Sequence, residues 1–316
     1  MKIPPNQMEV RAICNSKFIG FQLIGPAADA AEKKRNERRN RFAPRSVSLV
    51  PIPARRHPLH AAITYLHDAS EKIEVLQARA VEYFRPPSVG VRFVDDADGV
   101  HQNMLLVVEK QLPAEFNRLT TEALQYLRSA LDTSVSKLIK HLKIQHKRAD
   151  FPIFLFRTDS TGIPKRTGYL GAPNGGKLAA KLPAELGLVL ESVQPFKSGN
   201  LRWKHPLATL SALNNFAKHN DIIELRALAS ESALMILSAP TVLRGGIHIR
   251  AGAPLKDGEL LARMDKHMKV KPQIVLSCVF RRGCPRLERE DVLPALREML
   301  GNANDILVRL KQAFDK

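Results

Sequence analysis

The sequence predicts an α+β fold, a bundle of long amphipathic helices packed with an antiparallel β-sheet, on three observations. Apolar residues recur at three- and four-residue steps from Leu59 to Phe84, from Leu124 to Leu142 and from Val292 to Phe314, the spacing that gives a helix one buried face. Between these stretches lie short runs of alternating or continuous apolar residues bounded by Gly- and Asp-containing turns, the pattern of hairpin strands. Hydrophobic residues make up 44% of the 316 positions, enough for a large core and too many for a chain disordered over most of its length.

Residues 1–57 are expected to form a basic, Pro-rich N-terminal arm, partly ordered, and residues 58–316 a single α+β domain. From Glu32 to Arg45 the chain reads EKKRNERRNRFAPR, with almost nothing to bury, and Pro44, Pro51, Pro53 and Pro58 discourage helix until this region is left. Lys33, Lys34, Arg35, Arg38 and Arg39 in this run are candidates for sequence-independent contacts to nucleic-acid phosphates; the alternative is a solvated linker. Leu59, Ile63, Leu66, Ile73, Ala80 and Phe84 then define the first helix, which Pro86-Pro87 must stop. Val89, Val91 and Phe93 alternate, Asp98-Gly99 supplies a turn, and Met104 to Val108 forms the returning strand.

Beyond Pro113, the stripe Leu124, Leu127, Leu131, Val135, Leu138 and Leu142 implies a helix of roughly thirty residues, about 45 Å long. The Gly-, Pro-, Thr- and Lys-rich stretch 150–182 reads as a long loop. A helix over Leu207–His219 follows. Leu234–Leu237, Ile247 with Ile249, and Ile274–Phe280 read as strands of an antiparallel meander, with turns at Gly245-Gly246 and Asp257-Gly258. Val292, Leu296, Leu300, Leu307, Leu310 and Phe314 form the closing helix.

Charge and composition bound the function. The chain has 49 Lys and Arg against 31 Asp and Glu, a formal net charge of +18, so a polyanion is the first partner to consider, nucleic acid foremost; a basic surface kept only for solvation is the alternative. No run approaches the ~18 apolar residues of a membrane span, and the N-terminus has no apolar signal core, so a cytoplasmic protein without a membrane partner is expected. Cys14, Cys278 and Cys284 are odd in number and lack CxxC spacing, which argues for reduced, structural thiols. His57 and His60 lack supporting ligands, so neither a metal nor another cofactor is expected. Gly171-Ala172-Pro173-Asn174-Gly175-Gly176-Lys177 fills the glycine and lysine positions of a phosphate-binding loop, but Leu178 stands where Ser or Thr must ligate magnesium. A turn-rich connector is expected there. Aromatic residues are sparse at 6%; Trp203, between Arg202 and Lys204, reads as an anchor packing a loop onto the bundle, with base stacking as the alternative.

The best candidate site is on the Leu207–His219 helix. Asn214 lies one turn below Lys218 and Asn215 one turn below His219, so these two pairs are expected to make one polar patch beside the apolar stripe. On the thirty-residue helix, Arg128 and Asp132 are also one turn apart. They are expected either to form an ion pair at the rim, or to face Lys218 and His219 across a helix seam, with Asp132 orienting the imidazole and Arg128 holding a phosphate.

LRSALD at 127–132, FPIF at 151–154, ESVQPF at 191–196 and NNFAKH at 214–219 together resemble a group of uncharacterised bacterial proteins, over about residues 60 to 316. That group is distantly similar to the HEPN superfamily of helical bundles, many of whose members are metal-independent endoribonucleases or toxins that dimerise around an Arg-polar-x3-His motif. The resemblance implies a homodimer, with Asn215 at the polar position and His219 at the histidine. Asn214 occupies the place of the arginine, and an amide supplies no positive charge for a transition state at phosphorus. His219, Asn215 and Asn214 are therefore the catalytic candidates of a degenerate site, and Arg128 and Lys218 its nucleic-acid-binding cations. The expected function is association with nucleic acid, RNA ahead of DNA. The alternatives are a metal-independent endoribonuclease, and a non-enzymatic structural or interaction protein of a mobile element.

Overall fold

The computed structural model describes residues 9–15, 18–24, 47–84, 89–145, 150–155, 169–170, 178, 181–220, 223–238, 256–267, 269–281, 287 and 290–316. Along the chain they form β1 (Glu9–Asn15), β2 (Phe18–Ile24), α1 (His60–Tyr83), β3 (Val89–Asp95), β4 (His101–Val108), α2 (Ala114–His141), β5 (Ile153–Phe154), β6 (Tyr169–Leu170) and α3 (Ala184–Ser192). A 3₁₀ segment (Pro195–Lys204), α4 (Pro206–Asn220), β7 (Leu225–Ser238), β8 (Leu260–Asp265), β9 (Lys269–Phe280) and α5 (Val292–Phe314) complete the described elements. The fold is α+β, with every strand pair antiparallel among the described residues.

The long helices build the centre. α1 and α2 pack on each other and α5 lies against both. Leu66, Ile73 and Leu76 of α1, Leu124, Leu127 and Leu131 of α2, and Leu296, Leu300 and Leu307 of α5 are all buried in one core. Each such side chain contributes about 1.5–3 kcal/mol relative to exposure. At the solvent edge Lys72 Nζ meets Glu122 Oε2 at 3.1 Å and Arg79 Nε meets Glu115 Oε2 at 3.6 Å. These pairs tie α1 to α2, and their exposure to solvent keeps each of them weak. Helix α2 begins directly after Pro113, with Glu115 in its first turn and Lys140 and His141 in its last, charges that match the helix dipole at both ends.

The described strands divide among three sheets where a single sheet was expected. Their orders are β1-β2-β9-β7, β3-β4-β8 and β5-β6. The expected meander of the C-terminal third is split, because β8 pairs with β4 while β7 pairs with β9. The expected strand at Ile247 and Ile249 lies outside the described residues. β2 stops pairing with β9 at Gln273, the residue after Pro272, whose ring nitrogen has no hydrogen to donate to a neighbour. In the β3–β4 turn Gly99 takes φ 69°, a conformation open to glycine, and the Asp98 carboxylate accepts the backbone N–H of Val100 and of His101, each at 2.9 Å. With the His101 N–H leading, and the His101 ring and Val100 N–H adding to it, these contacts hold the Asp98 carboxyl well below the usual range.

Within the first 57 residues, β1 and β2 join the larger sheet, and the stretch just before α1 is tied to the helices. Asn304 of α5 accepts the Val50 N–H at 2.8 Å and donates to Ser48 O at 3.3 Å, and His67 Nε2 donates to Val50 O at 2.9 Å. His60 Nδ1 donates to Pro53 O at 2.8 Å. His57 accepts the Leu59 N–H through Nδ1 at 3.1 Å, so its Nε2 carries the proton it shares with Asp315 at 3.0 Å. His57 is thus engaged through both ring nitrogens and His60 through Nδ1. Lys33, Lys34, Arg35, Arg38 and Arg39, and the glycine-rich Gly171–Lys177, lie outside the described residues.

Candidate functional site

Pro206 opens α4 with a backbone already fixed near helical φ. The unprotonated His205 Nδ1 accepts the Leu207 N–H at 3.2 Å, and burial holds the His205 imidazole below its usual pKa. Every residue from Leu207 to Ser211 is buried, so the first turns are enclosed on all sides. Only the last turns emerge. Asn215, Lys218 and His219 are exposed, whereas Asn214 is 5% exposed and sits with Leu210, Leu213 and Ala217 on the buried face. The structure therefore divides the four polar residues: three form a surface patch at the C-terminal end of α4, and Asn214 faces inward. Lys218 and His219 also lie where cations interact favourably with the helix dipole.

Arg128 and Asp132 are joined to each other and to the FPIF segment. Arg128 Nη2 lies 2.7 Å from Asp132 Oδ1 and Arg128 Nε 3.0 Å from Oδ2. The same pair grips one residue from both sides: Arg128 Nη2 donates to Phe151 O at 3.2 Å and Asp132 Oδ1 accepts the Phe151 N–H at 2.9 Å. Burial raises the Asp132 carboxyl above its usual value; Arg128 and the Phe151 N–H oppose that shift. No hydrogen bond or ion pair among the described residues links Arg128 or Asp132 to Lys218 or His219. The expected rim ion pair is present, and it serves to anchor a buried loop.

Gln194 continues the same anchoring. It is 2% exposed, donates through Nε2 to Pro152 O at 3.0 Å and Leu190 O at 2.8 Å, and accepts the Phe154 N–H at 2.8 Å. Phe151 to Leu155 are all buried, and these side chains supply partners for backbone groups that have left water. Gln194 has no periodicity to mark it in the sequence. Its position between Val193 and Pro195, where an apolar helix end gives way to a turn, is the only local signal.

Between Gln194 and α4, the 3₁₀ segment presents a different surface. Trp203 is 41% exposed and Leu201 64% exposed, so both residues face solvent in part. The Arg202 guanidinium carbon is 5.9 Å from the Trp203 ring centroid, and Lys197 Nζ is 5.3 Å from that of Phe196, both within cation–π range. Among the described residues there is no group of three or more His, Cys, Asp or Glu side chains placed to hold a metal ion. Cys278 is a buried free thiol, and burial pushes its pKa up. No helix among the described residues is long and apolar enough to cross a membrane. Comparison of the chain with protein-family models, with curated proteins and with solved structures finds no match.

Proposed function

We propose that this chain binds nucleic acid, RNA ahead of DNA, without cleaving it. The observation that carries the reading is the charge: +18 overall, with seven Lys and Arg against three Asp and Glu in residues 25–46. A cationic segment of that kind neutralises phosphates irrespective of base sequence. The patch of Asn215, Lys218 and His219 is the candidate contact on the folded body. The preference for RNA, and a homodimeric state, rest on the resemblance to HEPN proteins.

Two features favour binding over cleavage. Asn214 lies in the helix interior face at the position where the resembled motif carries its arginine, and Arg128 is engaged by Asp132 and Phe151. His219 then has neither the motif's arginine nor Arg128 for developing charge on phosphorus, and Lys218 is the cation that shares its patch.

The test is incubation of the purified protein with total cellular RNA in EDTA, beside His219→Ala, followed on gels over a salt series. Retention without cleavage, falling steeply with salt and little changed in His219→Ala, is expected. Replacing Lys33, Lys34, Arg35, Arg38 and Arg39 by Gln is expected to reduce the log–log salt slope by about 3–4 units for single strands. Salt-insensitive binding would overturn the reading, and cleavage abolished in His219→Ala would replace it with a metal-independent ribonuclease.

A further inference from the structure

We propose that the 3₁₀ segment Pro195–Lys204 is a platform for single-stranded nucleic acid, with Trp203 stacking on a base and Lys197, Arg202 and Lys204 meeting phosphates. This deepens the nucleic-acid reading and rests on it. Leu201-Arg202-Trp203-Lys204 alternates apolar and cationic side chains, and the ten residues of the segment contain no carboxylate. Trp203 is 41% exposed with the Arg202 guanidinium beside its ring. A single strand presents the complementary alternation of flat base and anionic phosphate, and stacking on an aromatic ring flanked by cations is how such strands are held.

The platform is fixed in place from below. Pro195 is buried, Gln194 is anchored to Pro152, Phe154 and Leu190, and the Lys197 N–H donates to Gln194 O at 3.0 Å. Gly199 turns the chain at φ 54°, and Arg202 Nη1 donates to Gly199 O at 3.1 Å, which holds the guanidinium near the indole. Lys197 shares its charge with Glu191 at 2.8 Å, and Lys204 is exposed. The exposed apolar side chains are separated by cations along the segment, so they do not merge into the continuous apolar face that a bilayer-anchoring helix needs. Lys218 is thirteen residues beyond His205 along α4, about 20 Å away.

The chain contains one Trp, so its intrinsic fluorescence reports on this surface alone. The full chain is titrated with single-stranded oligo(A) RNA and with an RNA duplex, following tryptophan emission with unlabelled strands and anisotropy with labelled ones. Emission is expected to be quenched along the same isotherm as the single-strand anisotropy. Trp203→Ala is expected to weaken single-strand binding about tenfold, Trp203→Phe to retain most of it, and duplex affinity to change by less than about twofold. Single-strand binding with unchanged emission and unchanged Trp203→Ala affinity overturns the platform and leaves the general reading standing. Absence of binding to either RNA removes both. A response to vesicles containing anionic phospholipid, without one to oligo(A), overturns the platform in favour of a membrane contact. Should Trp203→Ala fail to fold, the emission of the unsubstituted protein and the Trp203→Phe affinity still decide.

Discussion

Arg128 and Asp132, one turn apart on α2, close a ring through both backbone groups of Phe151: the guanidinium takes its carbonyl and the carboxylate its N–H, at 3.2 and 2.9 Å. The ion pair is thus part of the fold's internal wiring, with side chains 13% and 31% exposed. Removing either partner leaves the other charge and one Phe151 backbone group poorly compensated. Arg128→Ala is expected to cost about 2–4 kcal/mol, somewhat below a fully enclosed pair because Asp132 retains contact with water. Urea denaturation checks this. In the Arg128→Ala background, Asp132→Ala should cost at least about 1 kcal/mol less than it does alone; additive losses would show that the two residues act independently.

Gln194 tests the second fastening. Gln194→Glu keeps the side-chain shape and the oxygen that accepts the Phe154 N–H, but an ionised carboxylate has no hydrogen for Pro152 O or Leu190 O. The variant is expected to lose about 3 kcal/mol at neutral pH and to regain part of it below about pH 5, where the protonated acid donates one bond. This sign follows from burial, which raises the folded-state pKa of the introduced carboxyl, so the penalty appears as pH rises. Equal chemical stability at pH 7 and pH 4.5, relative to the unsubstituted protein, would rule out the donor role of Gln194.

How much of this was legible beforehand depends on the length of chain that carries the signal. α1, α2, α4 and α5 follow from apolar residues repeated over several turns, and the β3–β4 hairpin from alternation with Asp98-Gly99 at its tip. α3 has only nine residues, too short a span for periodicity to mark it, and it follows the 150–182 stretch that reads as a loop. β8 was missed because Leu260–Asp265 reads LLARMD, and its partner is β4, more than 150 residues earlier in number; pairing at that range leaves no local trace. At the candidate site, the i,i+4 spacing placed Asn214 and Lys218 on one face, but helix-face geometry does not say where a helix becomes enclosed. α4 surfaces only near its end, which puts Asn214 inside and Lys218 outside.

Asn304 fastens residues 48–50 to α5 through two bonds, accepting from Val50 and donating to Ser48. Asn304→Asp keeps the acceptor and loses the donor; Asn304→Ala loses both and leaves the buried Val50 N–H dependent on other partners. Amide exchange at Val50 is expected to accelerate more than tenfold in Asn304→Ala and less in Asn304→Asp, while exchange in the centre of α2 changes little in both. A uniform change across the protein would show that this stretch opens only with the global fold.

Tyr83 gives the fold a defined alkaline limit. Its hydroxyl donates to Lys110 O at 2.9 Å, and burial, with a smaller contribution from nearby Cys278, pushes its pKa from 10.0 up to about 12. The folded state therefore keeps the phenol neutral where the unfolded chain has already released the proton. Its stabilising contribution is complete below about pH 10 and is lost as pH rises toward 12, a decline of about 2 kcal/mol. Tyr83→Phe removes this titration and gives up one hydrogen bond, costing about 1 kcal/mol at neutral pH. Lysine titration affects both proteins alike, so the difference between their urea midpoints isolates Tyr83: the unsubstituted protein is more stable at pH 8, and the two stability curves are expected to cross near pH 11. Parallel curves from pH 8 to pH 12 would show that the phenol titrates as freely in the folded protein as in the unfolded one.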